Sequence, residues 1–277
     1  MKLFIGLDLG TSALKLLLMD AEGKILNIVS KEYPLEFPHP GWSQQAPEDW
    51  EKAVMGGIPE LLNGFDASQV AGIGCGGQMH GLVILDSEDR VIRPAILWND
   101  GRTALQVDYL NNVIGKEKLS ALTANIAFAG FTAPKLLWVR QEEPENFAKI
   151  ARIMLPKDYV NYILTGVHSC DYSDASGMLL LDVEHKCWSR EMLELCGVRE
   201  EQMPQLFESY QCIGTLKPEI ARKLGLPEVP RLILQPPSPT TPVPMAAAAL
   251  SPAPAATFTV SGSPSFLAIS GFRVPMH

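Results

Sequence analysis

Apolar and polar positions fall into blocks at the start of the chain. Leu3 to Leu7 is a short apolar run, Gly10-Thr11-Ser12 interrupts it, and Ala13 to Met19 resumes it. Asp20-Ala21-Glu22-Gly23 has the acidic and glycine residues that suit a tight reversal. Ile25 to Tyr33 is expected to supply a third strand. Strands joined by turns this short run antiparallel, so this segment is expected to form a three-stranded meander.

Three prolines (Pro34, Pro38, Pro40) mark a crossing, after which Pro47 opens a helical stretch to Leu62. Proline suits the first helical turn, and Glu48 and Asp49 complement the helix dipole there. Val70 to Gly74, Leu82 to Leu85 and Ile96 to Trp98 are buried-strand candidates. Leu105, Tyr109 and Val113 repeat every fourth residue, as on one face of a helix. A further helix is expected from Pro134, carrying Leu136, Leu137 and Val139. A meander followed by alternating helices and strands predicts an α/β layer architecture.

The pattern stops near residue 230. Of 22 prolines, 11 fall from Pro227 onward, and no Asp, Glu or Lys follows Glu228. Such proline- and alanine-rich text sustains neither helix nor sheet ladders. Two regions are therefore expected: residues 1–230 as a folded domain and 231–277 as an aberrant or disordered tail.

Composition narrows the class. With 47% hydrophobic and 19% charged residues the chain has ample material for a core. A formal charge of -8 argues against a nucleic-acid partner, which calls for a basic face. The five cysteines (Cys75, Cys170, Cys187, Cys196, Cys212) are odd in number and never form a C-x-x-C pair. That usage predicts a reducing compartment rather than a disulfide framework or zinc site. The N-terminal apolar run is too short for a signal peptide, and no stretch has the length of a membrane span. A cytoplasmic protein without membrane attachment is expected.

Three segments can carry chemistry. Asp8-Leu9-Gly10-Thr11-Ser12 lies between two antiparallel strands. A glycine and two hydroxyl residues in such a turn can aim backbone N–H groups at phosphate oxygens. A carboxylate at the strand end suits Mg²⁺ held through water; a plain hairpin with a polar turn explains the same five residues. Gln78-Met79-His80 follows a strand and a pair of glycines that permit close approach of a ligand. Its amide and imidazole suit hydrogen bonds to a polyol, with Met79 against the carbon face; a structural histidine is the competing explanation. Trp98-Asn99-Asp100 ends another strand, where α/β sheets place ligands, although Asp100 also suits the N-cap of a helix from Gly101. Lys157 and Asp158 are expected as a surface ion pair, Asp174 as a weaker site candidate in a turn, and His39, His168 and His185 at the surface.

Taken in order, these segments resemble a known family. Gly6-Leu7-Asp8-Leu9-Gly10-Thr11-Ser12 is similar to the first phosphate loop of the sugar-kinase, actin and heat-shock ATPase superfamily. Gly76 to Gly81, Arg93 to Arg102, Gly130 to Trp138, Leu155 to Tyr159 and Asp171 to Gly177 resemble the xylulokinase branch of the FGGY carbohydrate kinases. The resemblance implies a ribonuclease H-like fold, a mixed sheet flanked by helices, forming the family's single N-terminal domain. It implies ATP and Mg²⁺ as cofactors and a ketopentose, D-xylulose first, as substrate. Asp8 would organise the Mg²⁺; Gly10, Thr11 and Ser12 would approach the phosphates. Gln78, Met79, His80, Asn99 and Asp100 would shape the sugar site. Ribulose, gluconate or glycerol are the alternative sugars, and a non-catalytic sugar-binding module is the alternative class.

The resemblance also implies a catalytic aspartate in a glycine-rich loop just after Val229-Pro230. Residues 231–237 contain neither carboxylate nor glycine. The family's second domain would need a chain about twice as long. A frameshift near residue 231 of a GC-rich gene would account for the change, and the chain alone is expected to be inactive. An uncovered cleft face would favour self-association.

Overall fold

The computed structural model describes residues 2–227 and the backbone of residues 231–234. The expected meander is present: β1 (Leu3–Leu9), β2 (Ala13–Asp20) and β3 (Ile25–Glu32) pair antiparallel in sequence. A later strand, β4 (Val70–Gly77), runs parallel to β1 on its other side. Two more, β5 (Cys212–Thr215) and β6 (Arg231–Leu234), complete a six-stranded mixed sheet in the order β5-β6-β4-β1-β2-β3.

Strand β6 lies just beyond the domain boundary drawn at residue 230. Arg231-Leu232-Ile233-Leu234 pairs parallel with Gly72 to Cys75 of β4 and antiparallel with β5. Its apolar residues have the strand propensity the sheet needs, but the prolines after them dominate any local composition. The rest of the expected tail lies outside the described residues.

Helix α1 (Pro47–Leu61) begins at the expected proline and presses Trp50, Val54, Ile58 and Leu61 onto the sheet. Helices α3 (Pro156–Thr165) and α5 (Pro218–Leu224) add Tyr159, Val160, Leu164, Ile220, Ala221 and Leu224 to the same core. A second core forms around α2 (Thr132–Glu142), where Leu136, Leu137 and Val139 meet Ile153, Met178, Leu180 and Met192. The short helix α4 (Tyr172–Ser176) feeds this second core through Ala175.

One periodic signal points the other way. Leu105, Tyr109 and Val113 do lie on helical backbone, but they are 79%, 40% and 69% exposed, while Leu110 and Leu119 face the core. The helical spacing was legible; the buried face was not. Among the described residues, no helix is long and apolar enough to cross a membrane.

The topology decides where chemistry can gather. Because β1 and β4 are parallel neighbours, both end at the same sheet edge. Leu9 is registered against Gly77 there. A Cβ at Gly77 would lie 2.5 Å from Leu9 Cβ, so only glycine lets the two strand ends close up. The turn after β1 and the segment after β4 are thereby adjacent.

Candidate functional site

The turn after β1 is held open by its own backbone. Gly10 N–H donates to Asp8 O at 3.1 Å and to Ala13 O at 3.0 Å. A side chain at residue 10 would sit 2.9 Å from Ala13 O. The N–H groups of Thr11 and Ser12 donate to no other group among the described residues, leaving them open to an outside acceptor. Around this turn, Gln45 Nε2 donates to Thr11 O at 2.7 Å, Trp98 Nε1 donates to Thr11 Oγ1 at 3.0 Å, and the Tyr33 hydroxyl donates to Gly10 O.

Asp8 stands at the end of β1, opposite Lys15 on β2. Its carboxylate accepts no hydrogen bond from the described residues. Burial raises its pKa above the ordinary carboxylate value, and the Lys15 charge only partly counters that rise. An unpartnered carboxylate beside free backbone N–H groups suits a hydrated cation that accompanies a phosphate. Among the described residues, no cluster of three or more acidic, His or Cys side chains could hold a metal. Any Mg²⁺ here would thus rely on Asp8, water and phosphate oxygens, in keeping with its habit of retaining waters.

Gln78 bridges the two loops. Its N–H donates to Leu9 O at 2.7 Å, and its Nε2 reaches Gln45 Oε1 at 3.3 Å and Gly10 O at 3.4 Å. Among the described residues its Oε1 is buried without a partner. Gln78 therefore serves first as a strap between the phosphate-type turn and the next loop, with one acceptor left over.

His80 is the most constrained residue of the site. Gly81 N–H donates to Met79 O at 2.8 Å, closing a γ-turn with His80 at its centre and φ at +63°. Positive φ is costly for a non-glycine residue, and turns of this hand are rare and strained. Gly81 makes the approach possible, since a Cβ there would meet Pro156 Cγ at 2.6 Å. The His80 ring packs on Phe131 with centroids 4.9 Å apart. Its Nδ1 lies 3.0 Å from Gly177 O. A carbonyl can only accept, so Nδ1 carries the hydrogen. Burial, chiefly, lowers the His80 pKa, with the Lys135 charge adding to that effect. Burial thus favours the uncharged ring, whose Nε2 is left as a hydrogen-bond acceptor without a partner among the described residues.

Asn99 and Trp98 are exposed at the same edge. Asp100, expected to shape a sugar pocket, is instead buried. Its carboxylate accepts from Arg102 Nε at 2.9 Å, Arg102 Nη2 at 2.8 Å, Arg102 N–H at 2.8 Å and Ser43 N–H at 2.6 Å. All its acceptor capacity is spent inside the fold, and the Arg102 guanidinium is stacked 4.0 Å from the Trp42 ring centroid. The capping role also fails: the helix begins at Ala104, with Thr103 as its N-cap residue.

Lys157 and Asp158 are not at the surface either. Lys157 is fully buried and pairs with Asp158 at 2.7 Å, Asp171 at 2.8 Å and Asp174 at 3.1 Å. Three carboxylates share one ammonium, and burial pushes the Asp174 pKa up to about 8. His185 is exposed as expected, whereas His168 is half-buried and bonded to Ile153 O at 2.9 Å. Phe131, expected as a core residue, and Lys135 and Gly177, to which sequence reasoning assigned no site role, all touch His80. All three lie within the motifs Gly130 to Trp138 and Asp171 to Gly177, which was the one signal that could have found them.

Comparison with known proteins identifies the family. The FGGY family of carbohydrate kinases, N-terminal domain, matches residues 3–233. The xylulose kinase of Bacillus subtilis (strain 168) is 45% identical over 230 residues, 82% of this chain and 46% of that protein. The xylulose kinase of Escherichia coli (strain K12) is 41% identical over 228 residues, 82% of this chain and 47% of that protein. The crystal structure of a xyloylose kinase from Brucella ovis matches with a TM-score of 0.77 and 40% identity, over 84% of this chain and 47% of that one. The chain spans about half the length of the curated relatives it matches. A mixed sheet with flanking helices and a phosphate-type turn beside a strained His80 loop is what this match covers. The chain belongs to the FGGY family of carbohydrate kinases, through that family's N-terminal domain.

Proposed function

We propose that this domain is the sugar-reading half of an ATP-dependent ketopentose kinase, with D-xylulose as the substrate. The observation that carries the reading is the neutral His80 imidazole, fixed by Gly177 with Nε2 as an open acceptor. An acceptor of this kind matches a sugar hydroxyl, which can donate. Met79, half-buried in the same turn, offers an apolar contact for the carbon chain, and the exposed Asn99 offers amide hydrogen bonds. The names of the relatives, xylulose kinase in each case quoted, favour D-xylulose over ribulose, gluconate or glycerol.

Asp8 and the N–H groups of Gly10-Thr11-Ser12 fit a nucleotide phosphate with its metal, though Gly10 N–H is already engaged within the turn. Mg-ATP would supply the phosphoryl group when bound. Asp8 would hold a cation through water, Thr11 and Ser12 N–H would hold phosphate oxygens, and His80 would orient the sugar. Removal of a proton from the sugar hydroxyl needs a base. Asp8, on the cation side of the site, is not placed in that role. The reading extends to a cytoplasmic protein, consistent with its cysteine usage, and to self-association through the exposed cleft face; a clean monomer in light scattering contradicts the latter.

The test is a pair of measurements on the same preparation. Calorimetric titration with D-xylulose is expected to give saturable binding. Incubation with D-xylulose and Mg-ATP is expected to form no ADP above background. Absence of binding overturns the sugar-reading role, and turnover overturns the expectation that this chain is inactive alone.

A further inference from the structure

Resting on the reading that His80 meets the sugar, we propose that Lys135 is the positioning residue that sets the His80 imidazole. Lys135 lies in the first turn of α2 and is fully buried. Its Nζ donates to His80 O at 3.0 Å, to Phe131 O at 3.2 Å and to Gly130 O. Among the described residues it forms no ion pair. Asp100 and Arg102 are the charged groups that act on it, one favouring its charge and the other opposing it.

A buried ammonium without a carboxylate partner is costly. Burial lowers the Lys135 pKa to about 7. Three carbonyls call for three N–H donors, and only the ammonium form has them. Stability alone does not explain such a group, since an apolar side chain of similar length would fill the space without desolvating a charge. The identity of the acceptors explains it better. One is the carbonyl of His80 itself, in a backbone conformation that needs outside support. The other two belong to Gly130 and Phe131, the segment that carries the ring stacked on His80. A single ammonium thus draws the two loops on either side of the imidazole to one point. Thr132 Oγ1 adds a second donor to His80 O at 3.1 Å.

The geometry then has a division of labour. Gly177 fixes which ring nitrogen carries the hydrogen, and Lys135 fixes where the ring stands. Without Lys135 the γ-turn relaxes, Phe131 moves off the ring, and Nδ1 loses its aim at Gly177 O.

The test compares the chain with Lys135→Met, which keeps length and apolar bulk but removes the donors. The first readout is the His80 imidazole tautomer from ¹⁵N NMR, recorded without sugar. A single Nδ1–H tautomer is expected in the original chain and a mixture in Lys135→Met. The second is D-xylulose affinity by calorimetry, expected to weaken about tenfold or more, as fits the loss of charge-assisted hydrogen bonds. If Lys135→Met fails to fold, Thr132→Val is read in the same way, with a partial shift in tautomer expected. A folded variant whose His80 tautomer is unchanged overturns the proposal. If the original chain binds no D-xylulose, the sugar reading fails while the tautomer still decides the role of Lys135.

Discussion

The His80 imidazole occupies the space that a side chain on residue 177 would need: a Cβ on Gly177 would lie 2.1 Å from His80 Cε1 and 2.5 Å from Nδ1. Gly177 itself has φ of -78° and ψ of -5°, a conformation that alanine adopts freely. Gly177→Ala therefore strains no backbone and acts on the ring alone. D-xylulose affinity is expected to fall by tenfold or more in calorimetry. Overpacking of this kind costs about 1–3 kcal/mol of stability, which urea denaturation would register. Unchanged affinity would remove the ring from the binding site.

Burial of the Asp8 carboxyl comes at a cost to the fold. Its raised pKa means that the folded state disfavours the carboxylate. Sign follows directly: its contribution to stability is greatest below the unfolded carboxylate range and is lost as pH rises through the folded value. Asp8→Asn is therefore expected to raise the denaturation midpoint at pH 7, and the gain should vanish at pH 4. A midpoint that falls at pH 7 would show that Asp8 has a stabilising partner.

A second pH dependence comes from the buried cluster around Lys157. Asp174, with its pKa raised from 3.8 to about 8, keeps a proton in the folded state that the unfolded chain releases. Its contribution is fully present below about pH 4 and declines as pH rises toward 8. Stability should fall across that window, and Asp174→Asn should flatten the slope. Denaturant midpoints at several pH values decide this; an unaltered slope in the variant would place the proton elsewhere in the cluster.

Arg102 and Asp100 test the corrected role of the strand end. Both side chains are fully buried and bound to each other at 2.8 Å. Arg102→Met leaves the Asp100 carboxylate buried and unpaired, a change that costs about 3–5 kcal/mol. Denaturation should show that loss. A stability loss under about 1 kcal/mol would mean that the pair is solvated and that Asp100 is available to a ligand.

The meander and α1 were legible because runs such as Leu3 to Leu7 and the Pro47-Glu48-Asp49 start encode them locally. Met79-His80 and the turn at Gly10 stand out as candidates for the same reason. What escaped was everything set by contacts distant in sequence. Asp100 looks like a pocket residue until Ser43, fifty-seven residues earlier, donates to it. Lys135 looks like an ordinary helical lysine until its carbonyl partners from His80 and Phe131 converge. Gly177 is one glycine among 22, and only the nearness of His80 shows why no other residue fits there. The strand Arg231–Leu234 was hidden by composition, since its pairing partners on β4 lie about 160 residues earlier.

The account depends most on the claim that the His80 turn reads a sugar. Titration of D-xylulose into the chain and into His80→Asn tests it directly, because asparagine tolerates positive φ and leaves the turn intact. Saturable binding by the original chain and at least tenfold weaker binding by the variant are expected. Equal affinity in the two proteins, or no binding by either, would contradict it.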